Sequence, residues 1–481
     1  MIGLYVTLGV LSVLFVLIAV VVIRTLAFTS PEKSVETAES IAVDEKKAVS
    51  DLREMIKCKT VSDKTKENED ETEFDKFKTL LPKLFPNIYE KCEYEEIGER
   101  GLLYRYPGKT SSSPTVLMAH FDVVSVEESQ WQCDPFSAEL KDGVLWGRGT
   151  LDTKTTLNGA MQALEALIKD GFIPEQDIYL AFAGDEEIGG SGAPMIVELF
   201  ELRGITPGIV LDEGGAVVEN VFPGVKQPCA LVGIAEKGML NLEFSYSGNG
   251  GHSSSPKPHT PVGILSAACV KVENNPFKFR ITEAPKAMFD VLARKSNFVY
   301  RMIFANLWLF KPVLNMICKK SGGEMNALMR TTCAFTQMEG SKGMNVIPPS
   351  AKMVANLRLL PGDTVQSAVS YIEKVVANSD IKIRVINGNN PSIVSTTDCE
   401  GWDKLTRAIN ASWSDAVVSP YLMIACSDSR HWGRISNKVY RFSAMALSKE
   451  ERAMIHGNNE RISVNTIIKT VEFYKRFIKS C

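Results

Sequence analysis

The chain is poor in histidine: only five occur in 481 residues, so each is conspicuous. It also lacks an excess of charge. Its 54 basic and 57 acidic side chains give a net −3, which excludes nucleic acid as a main partner. Ten cysteines (Cys58, Cys92, Cys133, Cys229, Cys269, Cys318, Cys333, Cys399, Cys426 and Cys481) are too dilute for a disulfide scaffold and lack the paired C-x-x-C spacing of a structural zinc site. There is no Gly-rich phosphate loop and no Gly-x-Ser-x-Gly elbow, which argues against both chemistries. What is present is apolar bulk. A hydrophobic share of 45% against 23% charged is enough to bury a core and excludes a disordered chain. The length implies two or three domains.

One apolar run stands apart. Ile2 to Ile23 carries no charge, and as a helix it reaches ~33 Å, enough to cross a bilayer core of about 30 Å. A cleaved signal peptide is the alternative, but such segments have shorter apolar stretches and a basic start, and here the start is Met1-Ile2-Gly3. The expectation is an uncleaved single-pass anchor, residues 2–23, followed by a polar tether, 24–47. Arg24, Lys33, Lys46 and Lys47 beyond the span favour a cytoplasmic body, but five acids are mixed in and large domains translocate despite such flanks. An Asn-Ala-Ser sequon at Asn410 suits a lumenal body. A lumenal or extracellular catalytic body is the expectation taken forward, with secretion after signal cleavage as its alternative.

Beyond the tether, short apolar runs end in polar residues. Thr115–Ala119 leads into His120, Asp177–Ala183 into Asp185-Glu186-Glu187, and Gly208–Leu211 into Asp212. Between the first two, Leu157, Ala160, Met161, Leu164, Leu167 and Ile168 fall on one helical face that Gly171 stops. Strands alternating with helices predict an α/β layer with a mostly parallel sheet flanked by helices. Open α/β sheets bind ligands at the carboxyl ends of their strands. After residue 229 the pattern changes. Leu240 to Tyr246 and Ala351 to Leu359 alternate apolar and polar, and helices are expected near Val262–Val272 and Val365–Val376. This predicts a separate α+β unit at 229–396, inserted between catalytic segments 48–228 and 397–481.

The residues that carry chemistry are His120-Phe121-Asp122, Asp152 in Gly147-Arg148-Gly149-Thr150-Leu151-Asp152, Glu186-Glu187, Asp212 and His456. Singly, each reads as a surface histidine, a solvated helix face or a cap. Jointly they supply imidazole and carboxylate at strand ends, the ligands of a hydrolytic metal site. His-x-Asp also lets a carboxylate orient the imidazole. Five motifs in order now carry a resemblance: Met118-Ala119-His120-Phe121-Asp122-Val123-Val124, Gly147–Asp152, Asp185-Glu186-Glu187, Leu211-Asp212-Glu213-Gly214-Gly215 and Ile455-His456-Gly457. From about residue 48 onward the chain resembles the di-zinc amidohydrolase family of aminoacylase, carboxypeptidase S, glutamate carboxypeptidase and acetylornithine deacetylase. Asn345-Val346-Ile347-Pro348-Pro349 and Ser427-Asp428-Ser429-Arg430 bring it nearest the carboxypeptidase S and N-fatty-acyl-amino-acid synthase/hydrolase branch.

The resemblance implies a zinc-peptidase-like catalytic domain with a lid of the dimerisation type, and allows a homodimer. It implies two zinc ions per subunit, bridged by Asp152, with His120 and Asp212 completing one and Glu187 and His456 the other. Asp122 would orient His120, Glu186 would be the general base, and His252 of the lid would reach the oxyanion. Asn345 and Arg358 would hold the substrate, with Arg430 a further carboxylate candidate. His259 and His431 are read as structural. The implied substrate is an N-acyl amino acid, with a fatty acyl group included, or the C-terminal bond of a peptide. The reverse condensation is also implied, with hydrolysis ranked first. The rival readings are a carboxypeptidase or dipeptidase on short peptides and an inactive membrane receptor or scaffold. Two departures from the branch pattern are Gly184, where a histidine is frequent, and Ala425-Cys426.

Residues 278–320 form a basic, apolar insertion. Nine Lys/Arg face only Glu283 and Asp290, among Phe298, Tyr300, Trp308, Leu309 and Phe310. Such a segment suits an anionic membrane surface, the wall of an acyl channel, or the core helices of a lid.

Overall fold

The computed structural model describes residues 2–30 and 40–481. The first helix runs Ile2–Ala27, past the expected end of the apolar span. The expected tether therefore begins inside this helix. Its residues 31–39 lie outside the described residues, and a second helix, Glu45–Ile56, opens before it ends. The first helix has the length and apolarity of a membrane span and is exposed along most of its length.

A ten-stranded sheet forms the body. Its centre is parallel: Gln176–Ala183, Thr110–His120, Ile209–Asp212 and Val439–Arg441 lie side by side. Apart from the exposed start of Thr110–His120, these strands are buried nearly throughout, as the continuous apolar runs require of a parallel sheet covered on both faces. The outer pairs differ. Glu93–Ile97 and Gly101–Tyr106 join antiparallel at one side, and Cys229–Glu236 runs antiparallel to Val439–Arg441 at the other. The sheet is thus mixed, and its parallel centre is where the site forms. Helix Lys154–Lys169 carries the predicted apolar face, fully buried.

A second, four-stranded antiparallel sheet contains Gly238–Ser247 and Ser350–Leu359 with the alternating burial read from their sequences. Helices Pro261–Asn274 and Val365–Val376 pack on it and share its separate core. The boundary expected at 229 is corrected, because Cys229–Glu236 pairs in parallel with Val417–Met423 inside the large sheet. The chain leaves that sheet only at Lys237. The Asn410 sequon lies within helix Glu400–Ser412, and Ser412 is buried with its hydroxyl donating to Ala408 O. That is unlike an exposed loop acceptor. All ten cysteines are free.

Candidate active site

The parallel register puts His120 opposite Ala183 and Leu117 opposite Leu211. The residues just past these three strands therefore share one edge of the sheet. Asp185 shapes the first turn by accepting hydrogen bonds from the amides of Ser191 (2.8 Å) and Gly192 (3.0 Å). Gly184 is required there, since a Cβ would stand 2.4 Å from the Phe121 ring. That ring stacks on Phe77 at 4.9 Å. A histidine at 184 is incompatible with this packing.

Asp122, fully buried, organises the next layer. Its carboxylate accepts the amides of Glu186 (3.2 Å) and Glu187 (3.1 Å) and the hydroxyl of Ser62 (2.7 Å). His120 Nδ1 lies 3.0 Å from Asp122 O and 3.3 Å from its Oδ1, so this residue fixes the ring and leaves Nε2 facing outward. Asp122→Asn is expected to weaken metal affinity about 10–100-fold, read by chelator competition, with the fold retained by circular dichroism.

Asp152 and His456 are brought together by a residue the sequence reading missed. Glu460, buried, accepts the amides of Leu151 (2.6 Å) and Gly149 (3.1 Å) and pairs with Arg148 Nη1 at 2.7 Å. Arg148 Nη2 in turn donates to Gly457 O. Two loops more than three hundred residues apart are thereby locked together. No spacing rule marks Glu460, whose signal is only its place four residues after His456.

The result is a cluster in two halves that share Asp152. Asp152 Oδ1 lies 2.9 Å from His120 Nε2, which is also 3.4 Å from Glu213 Oε1. Asp152 Oδ2 lies 3.0 Å from His456 Nε2, itself 3.1 Å from Glu187 Oε2. The metal-type groups are thus His120–Asp152–Glu213 and Asp152–Glu187–His456. Asp212, expected as a ligand, belongs to neither group. It ends its strand buried, with Oδ2 accepting the amide of Ser429 at 3.0 Å. Successive strand side chains point to opposite sides, so Glu213 turns toward Asp152 as Asp212 turns away.

Asp212 is instead joined to a buried polar network. Glu236 Oε1 accepts from Arg441 Nε (2.6 Å), Ser429 Oγ (2.9 Å) and Ser427 Oγ (3.0 Å). The network holds the Ser427–Arg430 segment against the sheet. Arg441→Met leaves the Glu236 carboxylate buried and unpaired, an expected loss of about 3–5 kcal/mol, measured as a fall in the urea midpoint.

The cluster holds more negative charge than its imidazoles balance comfortably. Burial opposes charge on His120, yet Glu213, Asp122 and Asp152 hold it well above its ordinary value. Hydrogen bonds to Asp152 and Glu187 push His456 up to about 10. Burial would raise Asp152, but His120 and His456 hold it below the usual carboxylate range. Burial, with Asp152 adjacent, pushes Glu213 up to about 7. One oxygen of Glu187, Oε1, is buried without a hydrogen-bond partner among the described residues. Carboxylates converging on the Nε2 atoms of two imidazoles, with a buried oxygen left over, suit divalent cations.

Glu186 stands beside the cluster without joining it. Loss of solvent raises its pKa well above the ordinary value; His120 opposes this, and Asp428, Glu213 and Asp122 add to it. Arg358 and Arg430 both reach the Cys426–Arg430 segment. Arg358 Nη1 meets Cys426 Sγ at 3.6 Å, and Arg430 Nη1 donates to Ser427 O at 2.9 Å. The departure at Cys426 thus touches an expected substrate residue. His252 and Asn345 lie exposed on the smaller unit, where His252 Nδ1 contacts Ser254 Oγ and Asn345 O accepts the Ser253 amide. Neither joins the two-part cluster. His431 is held down to about 4 by burial and by Arg430 and Arg434.

A family model described as peptidase family M20/M25/M40 matches residues 116–480. The N-fatty-acyl-amino acid synthase/hydrolase PM20D1 of Xenopus tropicalis is 37% identical over 97% of this chain and 93% of its own length. Probable carboxypeptidase S-like 2 of Dictyostelium discoideum is 33% identical over 98% of this chain and 93% of its own. Among solved structures, the M20 family metallo-carboxypeptidase Sso-CP2 from Sulfolobus solfataricus shares the fold, with a TM-score of 0.66 at 17% identity, covering 90% of this chain and 98% of that one.

Proposed function

The chain belongs to peptidase family M20/M25/M40, a metal-dependent hydrolase family, and we propose that it cleaves the amide of N-acyl amino acids, long-chain acyl groups included. The observation that carries this reading is the two-part cluster sharing Asp152, one carboxylate oxygen to each half. His120 and Glu213 would hold one zinc ion with Asp152, and Glu187 and His456 the other. Such a pair, when bound, supplies Lewis-acid polarisation of the amide carbonyl and acidifies a water.

The chain's own residues do the rest. Asp122 keeps the imidazole of His120 in one tautomer and presents the Glu186-Glu187 turn. Glu186 accepts the proton of the attacking water and delivers it to the leaving amine, a role suited to a carboxyl whose pKa burial raises above its ordinary value. Arg358 and Arg430, whose guanidinium groups meet Cys426 Sγ and Ser427 O, would bind the carboxylate of the amino acid by paired hydrogen bonds. Residues 238–396 serve as a lid, with His252 and Asn345 brought to the substrate by closure. The N-terminal helix acts as an uncleaved anchor, with the catalytic body on the lumenal or extracellular side.

Cleavage of C-terminal peptide bonds is the second reading, favoured by the likeness to the carboxypeptidase S-like protein over nearly the whole chain. Zinc-loaded full chain is assayed on a long-chain N-acyl amino acid and on a dipeptide, each with and without chelator. Chelator-sensitive release from the acyl amino acid alone is expected. Dipeptide cleavage alone selects the second reading, and no cleavage of either by metal-loaded chain overturns both.

A further inference from the structure

The end of the apolar helix is not loosely tethered; it is bonded to the basic insertion. Only Val21 and Thr25 of this helix are buried, and both meet the insertion. Asn306 Nδ2 donates to Val21 O and Thr25 Oγ1, each at 3.2 Å. Arg24 Nη2 donates to Ala305 O at 3.2 Å, where helix Phe298–Ala305 ends and a cation is favoured by the helix dipole. Just beyond, the Arg294 guanidinium lies 4.2 Å from the Phe28 ring centre and donates to Thr29 O. Five positions across residues 21–29 are thus held by the insertion.

This joint sets a height. Residues 2–20 span about 28 Å as a helix, the thickness of a hydrocarbon core of about 30 Å. Val21 then sits where hydrocarbon gives way to headgroups, and Asn306, bonded to it, sits at the same level. The next helix, Leu307–Ser321, starts there. Its inner face is Leu314 and Cys318, both buried. Its outer face is apolar and uncovered: Trp308 (55% exposed), Val313 (45%), Met316 (63%) and Ile317 (51%). Lys319 and Lys320 follow in the last turn. A cavity of about 470 Å³ opens at the joint, lined among others by Arg24, Phe28, Phe289, Phe304, Leu307 and Trp308.

We propose that the outer face of helix Leu307–Ser321 is a membrane-binding surface that lies in the headgroup layer of the bilayer crossed by the N-terminal helix, with Trp308, Val313, Met316 and Ile317 entering the acyl boundary and Lys319 and Lys320 meeting lipid phosphates. The occupant is lipid because the face is continuous, through the Asn306 and Arg24 bonds, with a helix that up to Ile23 carries no charge and exposes apolar side chains on every side. An apolar stripe ending in lysines has the composition of an interfacial helix, and an exposed tryptophan at this height is an interface anchor. The catalytic body is therefore seated on the bilayer by two elements. The proposal rests on the anchor reading, not on the choice of substrate.

The test uses the full chain in phosphatidylcholine–phosphatidylserine nanodiscs whose acyl chains carry bromine, a quencher of tryptophan emission. Trp131, Trp413 and Trp432 are buried in the catalytic body, and Trp146 and Trp402 are partly covered there. Bromine-dependent quenching is expected, and Trp308→Phe is expected to remove nearly all of it. The double variant Met316→Glu, Ile317→Glu is expected to lower the quenching of Trp308 several-fold. Quenching that is absent, or unchanged in either variant, overturns the proposal. Alkaline extraction of the same chain from vesicles reads the anchor separately: chain that resists extraction yet shows no Trp308 quenching sinks the surface alone, whereas chain stripped by alkali sinks the anchor reading as well.

Discussion

Glu186→Gln is expected to lower turnover about 10²–10⁴-fold while the bound metal stays at the wild-type level. The two adjacent glutamates are separated by the geometry. Glu187 points a carboxylate oxygen to within 3.1 Å of His456 Nε2, while Glu186 belongs to neither metal-type group. Their backbone amides are both held by Asp122, so the amide variant keeps the turn and the shape of the side chain. It removes only the capacity to accept a proton. The measurement is kcat beside metal analysis of the same preparation. A variant that turns over normally removes Glu186 from the base role, and one that loses metal makes it a ligand instead.

The second large effect separates two neighbours. Glu213→Gln is expected to lose metal from the half-site it shares with His120 and Asp152 and to cost about 10³-fold or more in activity, as removal of metal-held water activation and charge stabilisation implies. Asp212→Asn is expected to keep its metal. Asparagine retains an oxygen for the Ser429 amide, so its penalty falls on stability, about 1–3 kcal/mol. Metal titration of both variants, followed by urea unfolding, gives the comparison. The reverse pattern, with Asp212→Asn losing metal and Glu213→Gln retaining it, restores the assignment read from sequence.

Those neighbours also mark where the sequence ceased to be legible. His120 and the Glu186-Glu187 pair follow apolar runs directly, and a parallel sheet brings such strand ends together, so position along the chain foretold position in space. At Leu211-Asp212-Glu213 one carboxylate ends the strand and another follows it, and which faces the cluster depends on where the strand stops by a single residue. Periodicity does not resolve that. Glu460 and Glu236 were invisible for another reason. Their partners, Gly149 with Leu151 and Arg441, are far away in the chain, and a buried carboxylate serving backbone amides has no sequence signature.

Regular elements were read more securely. Leu240–Tyr246 and Ala351–Leu359 alternate because one face of their sheet meets a core and the other does not. The outer strand Glu93–Ile97 was not foreseen, since only part of it is covered and its acids hide the alternation. Cys229–Glu236 falls inside the unit expected at 229–396, but its continuous burial is that of an inner strand of the large sheet.

The most direct measurement is metal content against activity in the full chain. Purified protein is expected to carry about two metal ions per chain, to lose its amide hydrolysis as a chelator strips them, and to regain it when zinc is returned. Hydrolysis that continues at the wild-type rate after complete removal of metal would contradict the assignment of His120, Asp152, Glu187, Glu213 and His456.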